Sequence, residues 1–319
     1  MAPPPAPAAR PAPSRWALIS VPTSSRPVGT DGYSLAGSGY ALYLSGNANI
    51  IVTTGTTTVN QIIGRTAGLN KIDSAVYGAN LGALVLTNAN TYTGSTTVAN
   101  GILKLDFTAL NSLRYSADVL GNDTMTLGGA TTITSGGILE TSGVGSRNVT
   151  IQGDCITSGN GQDLIVTQNN PQVAMTVGSI ITDCGSTPIG LTKAGTGRVI
   201  LAASNSYTGP TNILGPGGTV NAIGGSKGSL CVGKVNALPV GTDVIVNGGA
   251  LQLGNYNQTV NSVMLDGNGG VYGDGNGGGM SSGVLTSANT YDVRSGARSG
   301  RRWSTAGRVR RATGSSRGR

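Results

Sequence analysis

Residues 191–214 read LTKAGTGRVILAASNSYTGPTNIL, and this stretch decides the fold class. Short apolar runs are separated by Gly-Thr-Gly and by Asn-Ser-Tyr-Thr-Gly. Gly and Asn supply the backbone conformations that tight turns require, and β-branched residues suit a pleated surface. The stretch therefore predicts short strands joined by tight turns.

The same pattern recurs along the chain. An eight-residue unit appears three times, as VLTNANTY at 85–92, ILAASNSY at 200–207 and VLTSANTY at 284–291. In the first two copies the match continues, with TYTGSTTVANGILKL at 91–105 and SYTGPTNILGPGGTVNA at 206–222. Shorter relatives of the last piece are GGILE at 136–140 and GGALQL at 248–253. Such repetition is typical of folds built from stacked units.

Composition supports an all-β solenoid. The 319 residues include 53 glycines, whereas charged residues make up only 11% and aromatic residues 4%. Sandwich and barrel cores rely on large aromatic side chains, yet both tryptophans, Trp16 and Trp303, lie near the ends of the sequence. A core built from Val, Ile, Leu and Thr indicates a thinner and more repetitive structure.

The formal charge of +8 is unevenly distributed. Residues 1–30 carry three Arg and no acid, and residues 294–319 carry nine Arg and no acid. The body, 31–293, carries nine Lys and Arg against thirteen Asp and Glu and is mildly acidic. A nucleic-acid groove needs basic side chains spread over the folded surface. We therefore expect no nucleic-acid partner.

Both ends of the chain differ from the body. Eight of the thirteen prolines fall within residues 1–30, which predicts a disordered Pro/Ala-rich leader without a recognisable signal peptide. Residues 294–319 predict a disordered Arg/Gly/Ser-rich tail. The ends are either functional tails, the basic one contacting an acidic polymer or anionic lipid, or products of a misassigned start and a shifted reading frame. An Arg/Gly/Ser/Ala-rich tail is typical of a GC-rich message translated out of frame, which favours the second interpretation.

The stretch at 191–214 resembles the autotransporter-associated β-strand repeat, also called the passenger-associated transport repeat. The shared pattern is LTK-x-G-x-G, a short apolar strand, N-x-Y-T-G and a later Gly-rich strand. Residues 84–105 are a second match, and residues 255–292 are similar in texture to the segment that often follows such repeats. The resemblance thus extends from about residue 80 to residue 292.

The resemblance implies a right-handed parallel β-helix over residues 31–293. With roughly 20–25 residues per coil and about 4.8 Å between stacked strands, it would contain on the order of eleven coils and be about 50 Å long. The family also implies an extracellular or outer-membrane surface location. The implied partners are a membrane β-barrel translocator outside this chain and an unidentified surface ligand or glycan, and we expect a monomer.

The repeated units place eight candidate turn residues: Asn90, Tyr92, Gly94, Asn205, Tyr207, Gly209, Asn289 and Tyr291. Asn tolerates the left-handed conformation, and its amide can bond nearby backbone. We expect the tyrosines to pack over the turns rather than form a carbohydrate platform, and the glycines to complete the turns. Val293 stands where the third copy would have its glycine, so this copy is truncated there.

Composition excludes most catalytic and metal sites. The chain has no His, so a Ser-His-Asp triad and a Cys-His pair are both excluded. Its three cysteines lack the spacing of a zinc site. Cys155 and Cys184 could lie on neighbouring coils, either as a disulfide or as two buried thiols. We predict no catalytic residue, no cofactor and no metal.

Two weaker motifs have structural and functional interpretations. Acids and bases that could converge as in a polysaccharide-degrading β-helix, or serve only as solvated turn residues, are Asp154, Asp163, Asp183, Arg147 and Arg198. The run 266–279 contains G-x-G-x-x-G at Gly273, Gly275 and Gly278. It lacks the helix that a dinucleotide site needs, so we interpret it as a Gly-rich loop, with weak calcium binding as the alternative.

The sequence therefore favours a non-enzymatic structural or adhesive surface passenger segment whose repeats support secretion and folding. The alternatives are a polysaccharide-active β-helix enzyme and a non-functional fragment of an autotransporter gene.

Overall fold

The computed structural model describes most of the body and short parts of both ends. The described residues are 19–20, 33–35, 41–43, 48–52, 55–64, 68–72, 82–88, 90–99, 102–105, 109–116, 122–183, 185, 187–216, 228–272, 282–294, 298–299, 303–305 and 308–311. Among them no α-helix occurs, and two 3-10 turns, Ser142–Val144 and Gly159–Gly161, are the only helical elements. None of these elements is a helix long and apolar enough to cross a membrane.

Two long parallel sheets form the body of the molecule. The first has 14 strands, in the order Ile19–Ser20, Ala48–Ile51, Leu69–Ile72, Thr96–Val98, Ala109–Tyr115, Thr131–Glu140, Leu164–Gln168, Leu191–Ala194, Thr211–Leu214, Asp243–Asn247, Ser262–Asp266, Thr290–Val293 and Arg308–Arg311, with Ile156–Ser158 beside Thr131–Glu140. The second has 12 strands, in the order Tyr33–Leu35, Thr56–Val59, Ala83–Leu86, Ile102–Leu105, Asp123–Leu127, Val149–Gly153, Ala174–Val177, Arg198–Leu201, Ser229–Val232, Ala250–Gln252, Gly270–Tyr272 and Arg298–Ser299.

Two smaller sheets lie on the remaining part of the coils. One contains Gln258–Val260, Leu285–Ser287 and Trp303–Thr305, and the other contains Ala41–Tyr43 and Ile62–Gly64. The chain alternates between the sheets and returns to each beside its previous strand, in parallel. This topology is a parallel β-helix, so the predicted fold class is confirmed. Within residues 31–293 the described strands give eleven on the main path of each long sheet, which is the expected number of coils.

The core is a set of apolar columns that run along the helix axis. In the second sheet, one column of paired inward residues is Leu84, Leu103, Met125, Ile151, Val177, Leu201 and Val232. Each of these side chains is at most 4% exposed. Inward and outward positions alternate along the strands, as in Asp123–Leu127, because successive side chains of a strand point to opposite faces. Stacking therefore joins half-buried strands into one continuous core.

The sheets extend beyond both predicted domain boundaries. Ile19–Ser20 pairs with Ala48–Ile51, and Arg298–Ser299, Trp303–Thr305 and Arg308–Arg311 each add a strand to a sheet. These strands lie within the segments predicted as a disordered leader and a disordered tail, and the domain boundaries stay a prediction. The adjacent coil offers unpaired N–H and C=O groups to such a strand, which local composition cannot reveal. Apart from these strands and Arg294, residues 1–30 and 294–319 lie outside the described residues.

Two adjacent residues test the orientation of the strand Arg198–Leu201. Leu201 is 1% exposed in the core, whereas Ile200 is half-buried on the outer face. We expect Leu201→Ala to lower the free energy of unfolding by about 2–5 kcal/mol, because it leaves a cavity between coils. The matched Ile200→Ala should cost about 1 kcal/mol or less. Denaturant unfolding measures both, and equal losses would contradict this orientation.

Candidate functional site

The two longer copies of the repeated unit form the same corner of the β-helix. In each, the Asn side chain spans to the preceding coil: Asn90 Oδ1 accepts the Ile63 N–H at 2.6 Å, and Asn205 Oδ1 accepts the Ile181 N–H at 2.8 Å. The next residue of each copy donates its own N–H back to the same Ile carbonyl, at 2.8 and 2.9 Å. The Asn side chain thus completes the pairing between coils where the long sheets end.

Asn205 also contacts the following coil. Its Nδ2 donates to the Ala237 carbonyl at 2.7 Å and to the Ala203 carbonyl at 3.3 Å, and the residue is only 7% exposed. One side chain therefore joins three successive coils. None of the three repeat asparagines uses the left-handed conformation that Asn tolerates, because Asn236 and Asn268 are the only described non-glycine residues with a positive φ. Asn205 uses both the acceptor and the donor of its amide, whereas Asn90 uses the acceptor, and its Nδ2 has no hydrogen-bond partner among the described residues.

The tyrosine of each corner is buried and bonds to a threonine four residues later. Tyr92 OH lies 2.5 Å from Thr96 Oγ1, and Tyr207 OH lies 2.7 Å from Thr211 Oγ1. Burial raises the pKa of Tyr92 to about 12 and raises that of Tyr207 further, partly offset by these bonds. Because Tyr92 and Tyr207 are 6% and 1% exposed, neither forms a carbohydrate platform.

In the second copy the hydroxyl contacts extend into the following coil. Thr211 Oγ1 lies 3.0 Å from Thr242 Oγ1, which donates to the Gly209 carbonyl at 2.9 Å. The single hydroxyl hydrogen of Thr242 is donated to that carbonyl. Thr211 must therefore donate to Thr242, and Tyr207 must donate to Thr211. Gly209 is tightly enclosed, because a Cβ there would lie 2.5 Å from the Ile189 carbonyl oxygen. Gly94 lies at the same place in the first copy, between Tyr92 and Thr96.

A buried lysine is the feature of this corner to which the sequence assigned no role. Lys71 and Lys193 are both 0% exposed, on strands that pair with the Thr strands in identical register. Lys193 interrupts an apolar column between Val166 and Ile213, and its Nζ donates to the Gly195 carbonyl at 2.6 Å. Lys71 Nζ contacts the carbonyls of Val52 and Ile72, each at 3.4 Å. The only signal for these lysines in the sequence is the L-x-K pattern shared by residues 69–71 and 191–193.

The third copy is different in structure. Its strand Leu285–Ser287 belongs to the small three-stranded sheet, and Tyr291 lies inside a strand of the first long sheet rather than before one. Asn289 is exposed, and both its backbone and its side chain bond to Asn261. Matching letters at 284–291 therefore do not reproduce the corner of the other two copies.

The acidic candidates for catalysis accept hydrogen bonds within the β-helix. Asp163 Oδ2 accepts from Thr192 at 2.5 Å and Asn212 at 3.2 Å, while Asp183 accepts from Ile189 and Thr208 in a loop. Asp154 Oδ1 accepts the Cys155 N–H at 2.7 Å. Arg147 and Arg198 are half-buried. Cys184, Gly273, Gly275 and Gly278 lie outside the described residues, so the disulfide and loop interpretations stay predictions.

Comparison with known families matches the passenger-associated-transport-repeat model at residues 79–105 and 191–222. These segments contain the two equivalent corners and exclude the third copy. Both segments are similar to the passenger-associated transport repeat, and we call them the transport repeats. Among curated proteins, the "Adhesin BmaC autotransporter" of Brucella suis biovar 1 (strain 1330) is 31% identical over 158 residues, covering 49% of this chain and 4% of that adhesin. No solved structure gives a match. The predicted resemblance to an autotransporter passenger region is confirmed.

The second transport repeat offers a direct test of the Asn contacts. We expect Asn205→Ala to lower the free energy of unfolding by about 1–3 kcal/mol, because the Ile181 N–H loses its buried acceptor and the Ala237 carbonyl keeps only the longer bond from the backbone N–H of residue 205. The matched control is Asn289→Ala at the exposed third copy, with a change within about 0.5 kcal/mol. Denaturant unfolding with hydrogen exchange at Ile181 measures the difference. Similar losses at both positions would contradict the distinction.

The buried lysine of the second repeat predicts a pH dependence. Burial lowers the pKa of Lys193 from 10.5 to about 7, with a smaller opposing effect of Cys231. Between these values the unfolded chain holds the proton more than the folded chain does, so stability rises with pH through this window. We expect Lys193→Met to remove this rise and the exposed-site control Lys104→Met to retain it. The test is to measure the free energy of unfolding of each variant at about pH 7 and pH 10. If this free energy rises with pH in Lys193→Met as it does in the wild type, Lys193 is not the group responsible.

Proposed function

We propose that this chain is a non-enzymatic segment of an adhesin passenger, located at the bacterial surface or secreted, whose transport repeats help the β-helix fold as it leaves the cell. The observation that carries the proposal is that both matched repeats use one Asn and one Tyr–Thr pair at equivalent positions, with a buried Lys on the strand that pairs with the Thr strand. The role is mechanical and needs no active site.

A β-helix that emerges vectorially must add each coil to the coil before it. Ordering a coil loses conformational entropy before its own contacts form, so the first bonds to the preceding coil limit its addition. Asn90 and Asn205 supply such a bond at the corner, outside the strand ladders. Asn205 also presents a donor to the following coil. In our proposal each repeat fixes the register of its neighbours and opposes backward sliding through an outer-membrane translocator.

Adhesion is supported by the similarity to an adhesin and by the outer surface. Outward positions of the second sheet include a row of stacked threonines, Thr124, Thr150 and Thr176. Such hydroxyl rows can bond glycan or protein ligands, whereas the buried repeat tyrosines cannot reach them. We propose a surface glycan or protein ligand, a monomeric chain and no nucleic-acid partner. The enzymatic alternative gains no support from Asp163 and Asp183, which are occupied by local hydrogen bonds.

The secretion role is tested by surface display. The chain is placed between an export signal and an autotransporter translocator in a Gram-negative host, and protease-accessible protein is measured on intact cells. We expect the double variant Asn90→Ala/Asn205→Ala to reach the surface several-fold less than the wild type, because two corners lose their bonds to the preceding coil. Asn289→Ala should match the wild type.

Equal surface amounts of the double variant and the wild type would refute the secretion role. Adhesion is measured separately, as binding of the purified chain to glycan and matrix-protein arrays, with reducing-sugar release as the test for an enzyme. Release of sugar from any glycan in the array would replace the adhesive proposal with the enzymatic one.

A further inference from the structure

A second polar cluster lies inside the β-helix between the two transport repeats. Glu140 ends the strand Thr131–Glu140, and its paired residues are Tyr115 on the preceding coil and Gln168 on the following coil. All three residues are fully buried, and so are Asp123 and Asn170. The cluster therefore places two carboxyl groups in the interior of the β-helix.

The hydrogen bonds of Glu140 are incomplete for a carboxylate. Oε1 accepts from Asn170 Nδ2 at 3.0 Å, and the same Asn nitrogen donates to the Gly145 carbonyl at 2.6 Å. Oε2 of Glu140 and the hydroxyl of Tyr115 have no hydrogen-bond partner among the described residues. A buried carboxylate without donors for both oxygens is strongly disfavoured, whereas a neutral carboxylic acid supplies a donor of its own.

Burial and the neighbouring carboxyl group also favour the neutral form of Glu140. Burial, and to a smaller extent the Asp123 carboxylate, raise the pKa of Glu140 from 4.5 to about 8, against the effect of the Asn170 hydrogen bond. Burial, Asp123 and Glu140 raise the pKa of Tyr115 well above its ordinary value, so Tyr115 stays neutral. The neighbouring bases are Arg114, which is exposed, and Arg147, which is half-buried on the loop after Glu140.

We propose that Glu140 is a pH-responsive lock, which holds its own coil and the following coil together as a neutral acid and loosens them when it ionises. The contacts around it explain why the effect spreads. Asn170 is fixed by Gln168, whose Nε2 donates to the Val173 carbonyl at 3.1 Å, and the Glu140 carbonyl accepts the Asn169 N–H at 2.9 Å. An ionised Glu140 must draw in water or leave the core, and either movement displaces Asn170.

A proton fits this cluster better than a metal ion does. Within the described residues no three Asp, Glu, Cys or His side chains meet in a group that could hold a metal. Calcium takes six to eight oxygen ligands, and the oxygens of Gln168 and Asn170 are already occupied by the backbone N–H groups of Asn170 and Gln172. A proton needs only two oxygens, one that carries it and one that accepts its hydrogen bond.

The sign of the pH dependence follows from the raised pKa. Between pH 4.5 and about 8 the folded chain holds a proton on Glu140 that the unfolded chain has lost, so stability falls as pH rises through this window. Two pH units within it correspond to a change of about a hundredfold in the opening equilibrium. This direction is opposite to that of Lys193, which acts at higher pH.

Hydrogen exchange of the whole chain, corrected for its intrinsic pH dependence, tests the lock. From about pH 5.5 to 7.5 we expect the opening equilibrium to rise about a hundredfold at amides 138–140 and 166–168, and much less at 244–246. Glu140→Gln should abolish the rise, because the amide stays neutral, and the control Tyr115→Phe should retain it. A wild-type rise in Glu140→Gln would overturn the proposal.

Carbon-13 NMR of the wild-type Glu140 carboxyl provides a second measurement, independent of whether any variant folds. An apparent pKa above about 6 supports the lock. An apparent pKa near the ordinary 4.5 overturns it.

Discussion

The parallel hydrogen-bond ladder between successive coils is the constraint on which the rest of the structure depends. A single coil has unpaired N–H and C=O groups on both edges and only a thin apolar interior, so it cannot be stable alone. Stacking satisfies the edges and joins the inward residues into columns such as Leu103, Met125 and Ile151. Because every side chain alternates between the two faces, a register slip of one residue would turn these columns outward.

Apolar columns specify that coils stack, but they discriminate weakly between neighbouring registers. The buried polar residues supply that discrimination, since a donor without its acceptor is costly inside the core. Asn205 is satisfied only when Ile181 and Ala237 lie on either side of it. Lys193 interrupts an apolar column, whereas Glu140 lies between Tyr115 and Gln168, and their shifted pKa values make the local stability sensitive to pH in opposite directions. The polar interior thus sets register, and the apolar interior provides most of the stability.

The three copies of the eight-residue unit show that local sequence alone does not determine the local structure. All three share the Asn-x-Tyr ending, yet only the copies at 85–92 and 200–207 are preceded by an L-x-K strand and followed by Gly and Thr at the same spacing. Those flanking residues form the strand before and the strand after the corner, in identical register. The copy at 284–291 lacks them, and its tyrosine enters a strand. The structure of the unit is therefore determined by its partners on adjacent coils and not by its own eight residues.

The sequence by itself determined the all-β class, the repeat, the solenoid and the positions of the two corners. Glycine and asparagine turns, β-branched runs and internal duplication are local signals that survive in any context. Only the tertiary structure decided which residues face each other across coils: Asn90 with Ile63, Asn205 with Ile181 and Ala237, and Glu140 with Tyr115 and Asn170. These partners lie about one coil apart in sequence, at offsets that vary with loop length. Their pairing is fixed by the ladder, which no local pattern records.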